Sequence, residues 1–242
     1  MKFVAVNRTR SDRQDRADRI LDTARELLLS WGYRRVTIDE LSSRAGVGKG
    51  TIYLHWRSRE DVFHAVGARE AATMTDAIVD AMRADPAEVA LHRYYRRLFV
   101  EAMNRPVLRA LYTRDVDTLG SFLAAPPHQQ LEDRKLGIVR DYLKVLASES
   151  MLRPDLRLSD LDYALPNIVF GFFAAEPFLS PALGLTLEQK ADQLGETIRR
   201  AFEPAAPLSK AAAKRAADKA IPIVERLARE YRTATYGGDS HD

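Results

Sequence analysis

The sequence predicts an all-α fold: an amino-terminal three-helix domain with helix-turn-helix geometry, followed by a larger helical bundle. Three observations carry that expectation. Apolar residues recur at three- and four-residue intervals along most of the 242 residues, and no strand pattern appears. Residues 32–61 encode two short helices joined by a tight turn. Charge is also divided unevenly: residues 1–60 hold 13 Lys and Arg against 8 Asp and Glu, a surplus of five in a chain of net charge +3, so the remainder carries −2. A basic module on a near-neutral body suits a nucleic-acid reader attached to something that does not touch nucleic acid.

Residues 1–11, with Lys2, Arg8 and Arg10, read as a flexible basic arm that either reaches a minor groove or backbone or makes no contact. Ile20, Ala24, Leu27, Leu28 and Trp31 give a first helix from near Asp12 to Ser30, stopped by Gly32. Thr37 and Glu40 have the spacing of a reciprocal capping box, opening a second helix in which Ile38, Leu41 and Ala45 share a face. Gly46 fits a turn that needs a left-handed residue, and Val47 plugs the angle between helices. The third helix opens near Gly48 with Ile52 and Trp56 turned inward, which exposes Lys49, Gly50, Thr51 and Leu54. Tyr53 and His55 flank these as donors to phosphate oxygens. Ser58 and Asp61 suggest another capping box, starting a helix through Phe63, Val66 and Met74 to about Arg83, ended by Asp85-Pro86; there Arg59 adds a further cation.

From residue 86 onward only helical segments are expected, near 87–103, 107–124, 128–150 and 159–176, with Pro166 kinking the last or marking an irregular turn. Another spans about 186–203 through Leu187, Ala191, Leu194, Ile198 and Phe202. The chain thus divides into the arm, a helix-turn-helix domain at 12–57, a helical body at 58–204 whose residues 58–83 form the first helix, and an extension at 205–242. Within the extension, Ser209 to about Ala220 reads as an Ala/Lys-rich helix, with an amphipathic stretch after Pro222 and a disordered end from Tyr236. Two readings stand for it: a dimer clamp or extra DNA contact through Lys210, Lys214, Arg215 and Lys219, or a surface helix packed on the body.

Residues 13–62 resemble the amino-terminal signature of TetR-type transcriptional regulators. The resemblance rests on Arg19-Ile20-Leu21-Asp22-Thr23-Ala24, the Ala45-Gly46-Val47 turn, the glycine pair, and Thr51-Ile52-Tyr53-Leu54-His55-Trp56. Departures fall at Gly48 (often a capping Ser), Val36 (Thr), Trp56 (Phe) and Arg59 (Lys). Glycine as the cap costs about a few tenths of a kcal/mol. The resemblance implies that Lys49, Gly50, Thr51 and Leu54 approach base edges while Thr37, Arg44, Tyr53, His55 and Arg59 hold phosphates. It also implies a linking helix at 58–83 and a homodimer through the helices near 159–176 and 186–203, which places two reading heads on a palindromic double-stranded operator. A small-molecule effector is expected in an apolar pocket lined by Phe99, Met103, Tyr112, Phe122, Tyr142, Tyr163, Asn167, Phe170 and Phe173, with Glu101, Asn167 or Glu176 as anchors.

Other chemistries lack their residues. There is no cysteine, hence no disulfide or thiolate site, which fits a cytoplasmic protein. No apolar run approaches the length of a membrane span, and the start has too short an apolar core for a signal peptide. Gly48-Lys49 is not a phosphate-binding loop, because Ser43 and Gly50 stand where that motif needs Gly and Ser or Thr. His55, His64, His92, His128 and His241 are scattered without metal-ligand spacing, and no catalytic residues, metal or cofactor are expected. The expected function is a ligand-responsive repressor; a constitutive or architectural DNA binder is the first rival and an all-α enzyme the weaker one.

Overall fold

The computed structural model describes residues 2–124 and 129–236, and every regular element in them is helical. Helix α1 (Lys2–Trp31) opens at Lys2, so the backbone of residues 2–11 is helical where an arm was expected; neither Gly nor Pro interrupts it. Gly32 ends it with φ 72° and ψ 156°, a region essentially confined to glycine. The next elements are α2 (Ile38–Ala45), α3 (Lys49–Tyr53) and the long α4 (Arg59–Ala84), which ends at Asp85 as expected.

The body comprises α5 (Leu91–Met103), α6 (Pro106–Thr113), the one-turn α7 (Val116–Leu119), α8 (Gln129–Ser148), α9 (Leu158–Ala175) and α10 (Leu187–Phe202). The segment expected as one helix over 107–124 is divided. Arg114 adopts φ 54°, and the Asp115 carboxylate accepts from the amides of Asp117 and Thr118 at 3.0 and 3.2 Å, starting α7 afresh. Pro166 lies inside α9, exposed to solvent.

Among the described residues the extension forms one helix, α11 (Lys210–Tyr236), which runs through Pro222. Both Pro222 and Asp218, whose carbonyl loses its partner, face solvent, where water can replace the missing bond. Ala213, Ala216, Ala217, Ala220, Val224, Leu227 and Tyr231 form its buried stripe, packed mainly along α4 and also on α8. Arg134–Glu230 at 2.9 Å, Arg226–Asp141 at 2.5 Å and Lys219–Glu149 at 2.6 Å join α11 to α8 in antiparallel order. Arg215 also pairs with Glu149, so two of the cations offered to DNA belong to packing on the body.

Two apolar cores result. One joins Ile20, Leu21, Leu27, Leu41, Ile52 and Phe63 to Val107, Leu119 and Phe122 of the body; the other surrounds Phe99 and Phe173. The head is therefore anchored on α6 and α7. A Cβ at Gly32 would stand 2.8 Å from the Asp117 carbonyl oxygen, so glycine permits this close approach. No described helix is long and apolar enough to cross a membrane. His128 and His241 lie outside the described residues, as does most of the end expected to be disordered; its first residue, Tyr236, is instead part of α11.

Candidate nucleic-acid interface

Local sequence builds the reading head. The Thr37 hydroxyl accepts from the Glu40 amide at 3.2 Å and starts α2. Only this half of the expected box forms, because the Glu40 carboxylate accepts from Arg44 at 2.7 Å instead. Gly46 takes the left-handed conformation, φ 64° and ψ 37°, and the Val47 amide donates back to the Ser42 carbonyl at 3.1 Å. Gly48 caps α3 without a side-chain bond, as the missing Ser implied. Ser58 accepts from the Asp61 amide at 3.0 Å and opens α4.

Ile52 and Trp56 are buried, at 0 % and 4 % exposure, while Tyr53 and Leu54 on the same short segment are exposed by 51 % and 74 %. Lys49 and Gly50 are also exposed and Thr51 is half-buried, so α3 presents this group outward. The Lys49 ammonium pairs with Asp39 of α2, which raises its pKa. Thr37 and Arg44 are exposed on α2; the Arg44 guanidinium carbon lies 4.3 Å from the centre of the Trp31 ring. Arg59 is turned inward: it donates to the Val36 carbonyl at 3.0 Å, lies over Tyr33 and neighbours Glu60. The Tyr33 hydroxyl donates to that same Glu60.

His55 is half-buried beside the Trp56 ring. Burial lowers its pKa from 6.5, and the positive charges of Arg13 and Arg16 lower it further. These two exposed arginines of α1 place positive charge close to His55, a feature that sequence reasoning missed. Their only signal was helical spacing of basic residues ahead of the first apolar stripe.

The expected pocket residues do not converge. Phe99, Tyr142 and Phe173 are core side chains; Phe99 and Phe173 have ring centres 4.7 Å apart, and the Tyr142 hydroxyl donates to the Val89 carbonyl at 2.6 Å. Met103 is half-buried against that core. Tyr163, Asn167 and Phe170 lie on the exposed face of α9, opposite Leu161, Leu165, Val169 and Phe173. Asn167 donates to the Tyr163 carbonyl at 2.6 Å, whereas Glu101 and Glu176 pair with Arg105 and Lys190. The reason is the helical period: α9 is apolar on two faces, and only one can meet the core.

Phe122 and Tyr112 instead line a cavity of about 250 Å³ between α4, α6, α8 and α11, together with Phe63, Lys135 and Tyr231. A second cleft, of about 460 Å³, lies between α9 and α10 beside Asn167, Phe172 and Leu185. His92 binds Glu203 through both its amide, at 2.9 Å, and its ring, at 2.7 Å. Among the described residues no cluster of His, Cys, Asp and Glu could hold a metal.

Residues 20–66 match the family model described as "Bacterial regulatory proteins, tetR family". An uncharacterised HTH-type transcriptional regulator of Mycobacterium tuberculosis is 32% identical over 78 residues, 32% of this chain and 38% of that protein. The HTH-type transcriptional activator FasR of Mycolicibacterium smegmatis is 31% identical over 74 residues, 31% of this chain and 34% of its own. The repressor BepR of Brucella suis is 28% identical over 80 residues, 33% and 38% of the two chains. The matched stretch thus spans little more than a third of these relatives. A solved TetR-family regulator from Shewanella sp. PV-4 shares the fold with a TM-score of 0.52 at 17% identity, covering 78% of this chain and 98% of its own. One from Mesorhizobium loti gives 0.52 at 18%, covering 79% and 98%. Residues 20–66 are thus a tetR-family helix-turn-helix segment with an outward-facing second helix, carried by a helical body that shares its fold with these solved TetR-family regulators.

Proposed function

We propose that the protein is a homodimeric, cytoplasmic, ligand-responsive repressor without catalytic activity. The carrying observation is the division of α3 into buried Ile52 and Trp56 and an outward group of Lys49, Gly50, Thr51 and Leu54. Lys49 donates to guanine, and Thr51 and Leu54 touch thymine methyl groups. Thr37, Arg44, Tyr53 and His55 hold phosphates and set register, while Arg59 braces the head from inside. Tyr163 and Phe170 are exposed on α9, as are Phe178 and Leu185 in the segment that follows it, and they suit a two-fold contact between copies. Repression follows where the bound dimer covers a promoter.

The cavity between α4, α6, α8 and α11 is the proposed effector site. Induction requires the effector to bind the head spacing that mismatches the operator more tightly than the matching one. A constitutive regulator is the second reading, favoured by the filled core around Phe99 and Phe173.

Selection of bound duplexes from a random pool at physiological salt tests the main reading. An inverted repeat is expected. Salt-sensitive binding with no preferred sequence would overturn it in favour of an architectural binder.

A further inference from the structure

The indole N–H of Trp56, at the end of the recognition segment, donates to the Thr235 carbonyl at 3.0 Å. The partners are 179 residues apart in sequence, and both are buried. A buried indole is a donor with no acceptor of its own, and here the Thr235 carbonyl of α11 supplies the acceptor. One residue further, the Tyr236 hydroxyl donates to the Asp18 carboxylate of α1 at 2.8 Å. Arg69 of α4 approaches the same carboxylate at 3.7 Å and donates to Asp22 at 2.7 Å. The turn of α11 around Thr235 and Tyr236 therefore holds both the first helix and the recognition segment. Tyr231 and Ala234, within that turn and the one before, form α11's share of the cavity lining.

We propose that Thr235 and Tyr236 are positioning residues for DNA reading, and that α11 carries the state of the cavity to the head. The proposal rests on the reading of the chain as a DNA-binding regulator and names how its site is regulated. A group that enlarges the contents of the cavity displaces Tyr231 and Ala234. Because they share a helix with Thr235 and Tyr236, the same movement loosens Trp56 and Asp18, and with them the aim of α3.

Amide hydrogen exchange on the full-length protein tests this without a known ligand. Tyr236→Phe removes one donor and keeps the ring, and Trp56→Phe removes the other with a smaller ring in place of the indole. Tyr142→Phe removes a comparable bond inside the body, to the Val89 carbonyl. The first two variants are expected to speed exchange across residues 38–56 by about tenfold, leaving residues 91–103 unchanged, whereas Tyr142→Phe leaves 38–56 unchanged. Operator affinity falls in parallel with the salt slope unchanged, since no phosphate contact is lost. Unchanged exchange over 38–56, or an equal effect from Tyr142→Phe, overturns the positioning role. If Trp56→Phe does not fold, Tyr236→Phe at the half-buried rim decides it alone. A wild-type protein that selects no operator refutes the regulator reading, while the exchange result still decides the positioning role.

The route from the cavity is tested by Ala71→Leu, which adds volume from the α4 wall. In the wild-type background it should also speed exchange over 38–56; with both donors removed it should add nothing. No effect, or the same effect in both backgrounds, overturns the route through α11.

Discussion

The guanidinium of Arg59 lies 4.1 Å above the centre of the Tyr33 ring and donates to the Val36 carbonyl at 3.0 Å. One side chain thereby ties the start of α4 to the segment that precedes α2. Arg59→Ala is expected to lower stability by about 1–2 kcal/mol, the scale of a lost cation–π contact plus a charge-assisted hydrogen bond. Chemical denaturation reads this. The salt slope of DNA binding should stay where it was, and a flatter slope would return Arg59 to the phosphate contacts.

Lys49 and Tyr53 face outward but have different work. Lys49→Ala should relax preference at one position per half-site, at a cost of about 1–3 kcal/mol on the operator, and Tyr53→Phe should weaken all sequences about equally. Competition with single-substituted operators separates them. Equal losses on operator and random DNA for Lys49→Ala would remove its reading role.

His55 gives the head a pH dependence. Its folded-state pKa lies below 6.5, through burial first and then Arg13 and Arg16. Below that value the unfolded chain binds more protons, so stability falls as pH drops from 6.5 toward the folded pKa. Contact with a phosphate reverses the preference, so operator binding takes up a proton and tightens as pH falls. His55→Gln should flatten both dependences. A pH-independent operator affinity in the wild type would exclude His55 from the phosphates.

Two glycines with positive φ should respond unequally. Gly46 has open space around its missing side chain, and Gly46→Ala should cost about 1 kcal/mol. Gly32→Ala combines a conformation reserved for glycine with a contact of 2.8 Å to the Asp117 carbonyl, and should cost more than about 2 kcal/mol. Equal denaturation midpoints for the two would contradict the close approach of α7.

Phe170→Asp puts a carboxylate in the middle of the exposed α9 face. Sedimentation should show monomers where the wild type forms dimers, with helical content retained. Dimers that survive the change would move the contact elsewhere.

Legibility followed distance along the chain. The inward pair Ile52 and Trp56, the left-handed Gly46 and the ends of α4 each depend on residues within a turn or two, and the sequence states them directly. The orientation of α9 depends on a partner. Its two apolar stripes look alike on a helical wheel, and packing alone decided that Phe173 went inward and Phe170 outward. Pro222 signalled a break that the exposed position of Asp218 makes unnecessary. The Trp56–Thr235 bond had no local signal at all, because neither residue type announces a partner so far away.

That bond also orders events during synthesis. Thr235 is translated 179 residues after Trp56, roughly ten to forty seconds later at ordinary elongation rates. For that interval the recognition segment emerges from the ribosome with its indole donor unmatched, so a nascent or prematurely terminated chain carries an unfinished reader. On the proposal that Thr235 and Tyr236 position the reader, a chain gains its full grip on DNA only once it has been translated through these two residues.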